Sequence, residues 1–296
     1  MGAHRYRSTW RGITFNAVYD DSGLVEEEAH LNSAFLESDY RLRYLDPTGV
    51  SVQDYREFRQ YMEGAEPNEA YEGPRIIEGR GMILGSTPAD LEDKTWALYE
   101  AFSPAACRVA FANNDPPFVG AFDFKRDTAG GSKSLRWYCR PAIGRPLAVG
   151  AMREGLIRPF VFRLMAFDPR AYDQSLTSTV LGNLAGSNNT VTNPGNLHTH
   201  PKIVIVTSGA SGSKTLTNVT TGESLVIDLT SAGAGQTYTL DTWRTLFTRE
   251  DGSDQMSKLT SGFPADFFLP AGNNLITWSS ASGITSVTFQ FRGAYA

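Results

Sequence analysis

The sequence predicts two domains, an α+β domain followed by an all-β sandwich. The chain has 296 residues, which is longer than most single hydrophobic cores, so two cores are expected. Charged side chains number 46 in residues 1–180 but only 13 in residues 181–296. The second part also holds 18 Thr and 13 Ser, and such residues favour a pleated sheet over a helix. We therefore expect a boundary near residues 173–182 and assign the domains to residues 1–179 and 180–296.

One segment of the first domain is predicted to be a helix. Ser86 or Thr87 can cap it, Pro88 suits its first turn, and Asp90 favours the positive N-terminal end. Pro104 ends it. Its buried stripe is predicted from the helical spacing of Leu91, Thr95, Leu98 and Phe102. This helix can pack on a sheet.

Extended segments surround the helix and fill the second part of the chain. In the first domain they are Ile76 to Leu84, Cys107 to Ala112, Phe118 to Lys125, Leu135 to Pro141 and Arg158 to Ala166. In the second they are Lys202 to Thr207, Thr215 to Asn218, Ser224 to Leu229, Thr237 to Asp241, Leu275 to Ser279 and Thr285 to Phe291. We expect one or two helices in the α+β domain and an antiparallel sandwich of six or more strands after it.

Composition argues against several classes of protein. The net charge of -5 has the wrong sign for tight binding to nucleic acid. The basic start of the chain has no apolar stretch behind it, so we expect no signal peptide. The sequence contains no run of about 18 apolar residues, so we expect no membrane-spanning helix. The two cysteines, Cys107 and Cys139, fit reduced thiols in a protein assembled in the cytoplasm.

The sequence gives little support for an enzyme, a cofactor or a metal ion. His198 and His200 would share a face if extended, but no Cys or third His lies near them, and a hydrogen-bonding linker is the competing interpretation. Glu250-Asp251-Gly252-Ser253-Asp254 offers oxygen ligands without the register of a calcium-binding loop, so a turn is expected there. No G-x-S-x-G motif of a hydrolase occurs. We expect no catalytic residues.

Aromatic residues of the second domain raise one alternative function. Tyr238, Trp243 and Trp278, with Phe247 near them in sequence, could stack on a sugar, as in carbohydrate-binding modules. The domain would then contact glycans on the host surface. The same residues are also expected core members of a sandwich, and fold analogy does not decide between the two roles.

Short motifs of the second domain carry a resemblance to a known family. They are Asn193-Pro194-Gly195-Asn196, then Pro201 to Ile205, then Leu216 to Leu225, then Asp241-Thr242, then Phe268 to Asn274. Their order and spacing resemble the galectin-like C-terminal domain of phage distal tail proteins (Dit). In that family an extended entry precedes a TN..TG hairpin, and an L.PG.N turn leads into the last strands.

The first domain resembles the same family in two places. Arg75 to Gly81 ahead of the helix is similar to its R.I...G strand, and Phe167-Asp168-Pro169-Arg170 to its DP exit. The resemblance implies a structural virion protein at the phage tail tip, whose N-terminal domains form a six-fold ring around a channel. It implies contacts with the tail tube protein above and the tail-tip hub below, with a receptor-binding protein as a further partner. DNA would pass through transiently, and no membrane is involved.

Two acidic or aromatic stretches fall outside these motifs. Residues 37–73 are rich in tyrosine and charge, which fits either a hairpin extension that grips a neighbour or a solvated loop. Glu26, Glu27 and Glu28 are candidates for lining the channel, because DNA slides past a wall that lacks clustered Lys or Arg. An outward-facing charge run would have the same sequence.

Overall fold

A computed structural model of the chain describes residues 4–11, 13–19, 40–53, 56–58, 65–67, 71–103, 120–128, 131–142, 144, 146–153, 155–184, 186, 188–210 and 212–295. The chain divides into two compact units, Met1–Ala171 and Tyr172–Ala296. Strands dominate both units, and α1 is the one α-helix among the described residues.

The first unit contains ten strands and the helix. They are β1 (His4–Trp10), β2 (Ile13–Tyr19), β3 (Tyr40–Gln53), β4 (Arg56–Phe58), β5 (Ala65–Pro67), β6 (Tyr71–Leu84), α1 (Pro88–Ala101), β7 (Gly120–Thr128), β8 (Gly131–Pro141), β9 (Leu147–Val149) and β10 (Ile157–Ala166). A short strand, β11 (Ala171–Asp173), contains the boundary between the units.

The sheet of the first unit closes on itself. Its strand order is β8-β7-β1-β2-β3-β6-β10-β9, and β8 also pairs with β10. The pairing of β2 with β3 is parallel, whereas β1 with β2, β3 with β6 and β6 with β10 are antiparallel. β3 and β6 form a long hairpin that spans the tyrosine-rich segment, and β4 pairs with β5 farther along it. A hairpin, one of the two structures expected for residues 37–73, is therefore present.

Aromatic side chains build the core of the first unit. Phe160 and Phe162 alternate with less buried neighbours along β10, as expected for a strand with one face inward. The ring of Phe162 lies 5.1 Å from that of Phe102 at the end of α1 and 6.2 Å from that of Phe122 in β7. Burying each such ring contributes roughly 1.5–3 kcal/mol. The contact with Phe102 joins the helix to the sheet.

The second unit is a sandwich of two five-stranded sheets. Its ten strands are β12 (Thr177–Val180), β13 (Asn189–Asn193), β14 (Lys202–Ser208), β15 (Ser213–Asn218), β16 (Glu223–Asp228), β17 (Ala234–Asp241), β18 (Leu246–Arg249), β19 (Leu259–Ser261), β20 (Gly272–Trp278) and β21 (Ile284–Phe291). A further short strand, β22 (Ala294–Tyr295), pairs with β11. One sheet has the order β12-β21-β14-β17-β18 and the other β13-β20-β15-β16-β19. Two 3-10 helices cover Met256–Lys258 and Pro264–Asp266.

The two sheets share one apolar core. Ile203, Ile205 and Phe289 face it from the first sheet, and Leu216 and Trp278 face it from the second. Each of these five side chains is fully buried. Buried and partly exposed residues alternate along β14 and β20, as expected for strands with one face in the core and one face exposed to solvent.

The sequence-based elements agree with the structure in their interiors. α1 begins at Pro88 behind an N-cap at Thr87, and Leu91, Thr95 and Leu98 are buried, so the helix prediction is confirmed. Most predicted strands coincide with observed strands and differ at their ends. The segment Cys107 to Ala112 lies outside the described residues.

Across the described part of the chain, no helix has the length and apolar character needed to cross a membrane.

Candidate interaction surfaces

The first turn of α1 is tied to the end of β6 by a compact polar cluster. The Asp90 carboxylate accepts hydrogen bonds from the Ser86 amide (2.7 Å), the Ser86 hydroxyl (2.8 Å) and the Lys94 ammonium (2.8 Å). Lys94 also donates to the carbonyl oxygen of Leu84 at 3.0 Å. These donors, Lys94 first, lower the pKa of Asp90 to about 2. The helix start is thereby fixed relative to β6.

The middle of α1 is fastened to β10 by Arg158. Its guanidinium donates to both carboxylate oxygens of Glu92, at 2.6 and 3.1 Å, and to the Thr95 hydroxyl at 3.1 Å. The hydrogen bond with Arg158 lowers the pKa of Glu92, and the same bond raises the pKa of Arg158. Bidentate pairs of this kind fix orientation as well as distance. One side of α1 is therefore held against the sheet.

The solvent-facing side of α1 presents aromatic and acidic side chains. Trp96 is 70% exposed and Tyr99 is 44% exposed, and their ring centroids lie 6.2 Å apart. Asp93 and Glu100, three residues before and four after Trp96, are exposed on the same side. Neither acid forms an ion pair with a residue that the structure describes. We call Asp93, Trp96, Tyr99 and Glu100 the α1 face.

A second exposed feature of the first unit is the turn between β9 and β10. The backbone amide of Arg153 donates to the carbonyl of Ile157 at 2.8 Å, which closes the turn. Leu156 has a φ of 56°, a conformation that side chains other than glycine seldom adopt. Met152 is 52% exposed and Arg153 is also exposed. We call Met152 and Arg153 the hairpin tip; within the described structure Arg153 has no acidic partner.

The outward faces of the sandwich are built mostly from hydroxyl and β-branched side chains. On one sheet they include Thr190, Thr192, Thr215, Thr217, Leu275 and Thr277, and on the other Val204, Val206, Thr237, Thr239 and Thr288. Every aromatic side chain in the strands from β12 to β21 is buried. These faces therefore present no aromatic platform.

Two of the three aromatic residues predicted for glycan stacking lie in the core. Tyr238 is 1% exposed and Trp278 is fully buried. The Tyr238 hydroxyl donates to Gln236 at 2.8 Å, and burial raises the pKa of Tyr238. Trp243 alone of the three is partly exposed, and its ring lies 5.4 Å from that of Tyr172. Neither Tyr238 nor Trp278 has a ring face exposed to a sugar, and both side chains pack in the core of the sandwich.

Three buried asparagines bring the motifs of the second domain together at one turn. Asn193, Asn218 and Asn274 belong to three different motifs, and each is at most 1% exposed. Their amides donate to consecutive carbonyls: Asn218 to Phe268 (2.8 Å), Asn193 to Leu269 (3.0 Å) and Asn274 to Pro270 (3.0 Å). Buried polar groups need such partners. Through these asparagines, the motifs hold the turn before β20 in place.

The two histidines that were weighed as a metal pair pack on an aromatic ring. The rings of His198 and His200 lie 5.7 Å apart at 88°, and both contact Phe268 edge-on. At residues 250–254, carboxylates accept from nearby backbone amides, Asp251 from Ser253 and Asp254 from Met256. In the described ranges no three His, Cys, Asp or Glu side chains converge as a metal site.

Other predicted residues lie outside the described ranges. Glu26, Glu27 and Glu28, the candidates for the channel lining, are among them, as is Cys107. Cys139 is buried in β8. Sequence reasoning did not single out Trp96, Tyr99, Met152 or Arg153. A sequence signal exists for Trp96 and Tyr99, because both lie within the predicted helix but away from its apolar stripe.

Comparison with known proteins gives a match in structure. No protein-family model matches the sequence, and no curated protein matches it. The Dit protein of phage SPP1, described as a paradigm of the hub adsorption apparatus in phages that infect Gram-positive bacteria, has 13% identity and a TM-score of 0.64. The alignment covers 98% of this chain and 99% of that chain. The chain has the fold of a Dit protein.

Two further matches are to the baseplate of phage P2 in its activated conformation. The structure with calcium is 6% identical and covers 99% of this chain and 98% of that chain, with a TM-score of 0.47. The structure with strontium is 8% identical, covers 98% of each chain and has the same TM-score.

Proposed function

We propose that this chain is a distal tail protein, a structural subunit of a phage tail tip with no reaction of its own. The observation that carries the proposal is the agreement of its fold with SPP1 Dit over nearly the full length of both chains. The ordered motifs of the second domain support it, because their asparagines hold together the turn that the family resemblance singles out. A shared fold hosts many functions, so a test of assembly is needed.

In this proposal the first unit forms a hexameric ring around a channel. The ring joins the tail tube protein to the tail-tip hub, and the second unit is a galectin-like sandwich on its outside. A ring of identical subunits needs two different complementary surfaces on each copy. The first unit has two such candidates, the α1 face and the hairpin tip.

The channel in this proposal has an acidic wall. Residues 1–180 hold 25 acidic and 21 basic side chains, and DNA moves without sticking where a wall lacks clustered cations. Glu26, Glu27 and Glu28 are proposed to contribute to this wall.

The alternative function, glycan binding by the sandwich, lacks support from the aromatic side chains that suggested it. Tyr238 and Trp278 are in the core, and only Trp243 is partly exposed. A glycan site on this unit would have to use Trp243 or groups other than Tyr238 and Trp278.

Light scattering combined with electron microscopy of the purified full chain tests the proposal. We expect a hexamer, or a stacked pair of hexamers, that forms as the concentration is raised, with a central opening in projection. Addition of the tail tube and hub proteins should promote it. A chain that remains monomeric at high concentration with both partners present would show the proposal to be wrong.

A further inference from the structure

The α1 face has the composition of a protein contact that lacks its partner. A single exposed apolar side chain needs no explanation, but here a Trp that is 70% exposed lies 6.2 Å from a partly exposed Tyr. Trp and Tyr, with Arg, are the side chains that dominate binding energy at interfaces. Asp93 and Glu100 flank the pair and have no cationic partner among the described residues. The missing partner should therefore carry a positive charge next to an apolar group.

The hairpin tip has the complementary composition. Arg153 is an exposed guanidinium without an acidic partner in the described structure, and Met152 beside it is 52% exposed. A guanidinium binds the face of a Trp ring and pairs with carboxylates at the same time. A thioether makes favourable contacts with the edge of an aromatic ring. Both groups suit the α1 face.

The tip is held in a fixed position on its own chain. The amide of Gly150 donates to the Pro159 carbonyl at 2.8 Å, and the amide of Gly85 donates to the Leu156 carbonyl at 3.0 Å. Among the described residues, no hydrogen bond, ion pair or ring contact joins the hairpin tip to the α1 face of the same chain. Anchoring of the flanking backbone lowers the ordering entropy that is lost on binding.

We infer that the α1 face of one copy binds the hairpin tip of a second copy. Arg153 of one chain would lie over the Trp96 ring of the next, between Asp93 and Glu100, with Met152 against Tyr99. The two surfaces differ, so the contact is head-to-tail and can repeat until it closes. This inference rests on the proposed function in so far as the closed form is the ring proposed above.

Charge-swap variants of the full chain test the contact. Sedimentation equilibrium should show that Trp96→Ala, Arg153→Glu or the pair Asp93→Arg with Glu100→Arg raises the dissociation constant for self-association by about 30-fold or more. Combining Arg153→Glu with Asp93→Arg and Glu100→Arg should restore much of the lost affinity, because the charges are exchanged across the contact. Phe263→Ala, at an aromatic residue that is 57% exposed in the second unit, is the matched control and should associate like the parent.

The outcomes separate this inference from the proposed function. If the parent forms rings and the single variants form them with unchanged affinity, or the combined swap restores nothing, the contact is overturned while the ring stands. If the parent does not self-associate even with its tail partners, both are overturned. Circular dichroism of each variant confirms that a loss of association is not a loss of fold.

Discussion

The side-chain amide of Asn218 donates a hydrogen bond to the backbone carbonyl of Phe268, with 2.8 Å between nitrogen and oxygen. Asn218 is fully buried, and its own side-chain oxygen accepts from the amide of Thr220 at 3.1 Å. One side chain thus ties the hairpin between β15 and β16 to the turn that precedes β20. An amide side chain can fill both roles at once, because it carries separate donor and acceptor groups and no charge.

Replacement of Asn218 by Ala should destabilise the second unit by about 1–3 kcal/mol, because the Phe268 carbonyl and the Thr220 amide lose their partner. Urea unfolding followed by circular dichroism measures the change. Asn188→Ala is the control, since Asn188 is exposed and hydrogen-bonds to no described side chain or backbone group. Equal stabilities of the two variants would show that the buried amide is unimportant.

A close approach of backbone to an aromatic ring makes Gly79 a second sensitive position. A Cβ atom at Gly79 would lie 2.3 Å from the Phe162 ring on the paired strand. Gly79→Ala should therefore destabilise the first unit by roughly 1–3 kcal/mol through overpacking. The cost should shrink in the background of Phe162→Leu, which removes part of the ring. Gly182→Ala is the control and should change stability little, because a Cβ atom there would meet no atom within 4 Å. If the effects of Gly79→Ala and Phe162→Leu were fully additive, the close contact between Gly79 and the Phe162 ring would be contradicted.

The cluster around Asp90 predicts a pH dependence of the first unit. Its pKa is lowered from 3.8 to about 2 in the folded chain, so the unfolded chain binds more protons between these values. The stabilisation is complete above about pH 4 and is lost as the pH falls through about 2. Asp90→Asn should flatten this part of the stability profile, measured from the helical circular dichroism signal in dilute solution.

The interiors of the elements could be predicted because their signals are local. Thr87, Pro88 and the stripe from Leu91 onward define α1 without reference to the rest of the chain. β14 and β21 are predicted because β-branched, charge-poor segments lie between turn-forming residues, and each strand buries one face. The short edge strands β12, β13 and β19 were not found. They are polar and exist because a longer strand pairs with them, which is information that the segment itself does not contain.

The candidate contact surfaces were less predictable than the fold. Trp96 and Tyr99 lie within a predicted helix and away from its stripe, so their exposure follows from the helix alone. The hairpin tip depends on the pairing of β9 with β10 and on the positive φ of Leu156. Three-residue strands such as β9 give no periodic signal. The sequence leaves two roles open for Tyr238 and Trp278, since core packing and sugar stacking use the same residue types.

The proposed acidic channel gives a prediction for particles. Reversing Glu26, Glu27 and Glu28 to Lys should leave ring assembly intact and slow genome delivery, because the wall would then attract phosphates. Added salt should relieve the deficit by screening. Time courses of DNA release from purified particles at two salt concentrations measure the effect. Release at the parental rate in low salt would show that these residues do not line the path.

The second unit should fold alone, and the choice of its first residue should decide how well. The Tyr295 hydroxyl donates to Asp173 at 3.0 Å, and Arg292 donates to the carbonyls of Asp173 and Gln174. β12, at Thr177–Val180, pairs with β21 along four residues. A fragment of residues 172–296 keeps all of these bonds, whereas a fragment of residues 180–296 loses nearly all of them and leaves β21 as an open edge.

Both fragments should show β-type circular dichroism, and the longer one should unfold in a single cooperative step. At roughly 0.5–1.5 kcal/mol for each hydrogen bond lost, the shorter fragment should be less stable by about 2–5 kcal/mol. It should also aggregate more readily, because an open edge can pair with another chain. Denaturant unfolding and light scattering of the two fragments measure these differences. Equal midpoints would mean that residues 172–179 belong to neither core, and a helical spectrum from either fragment would refute an independent β domain.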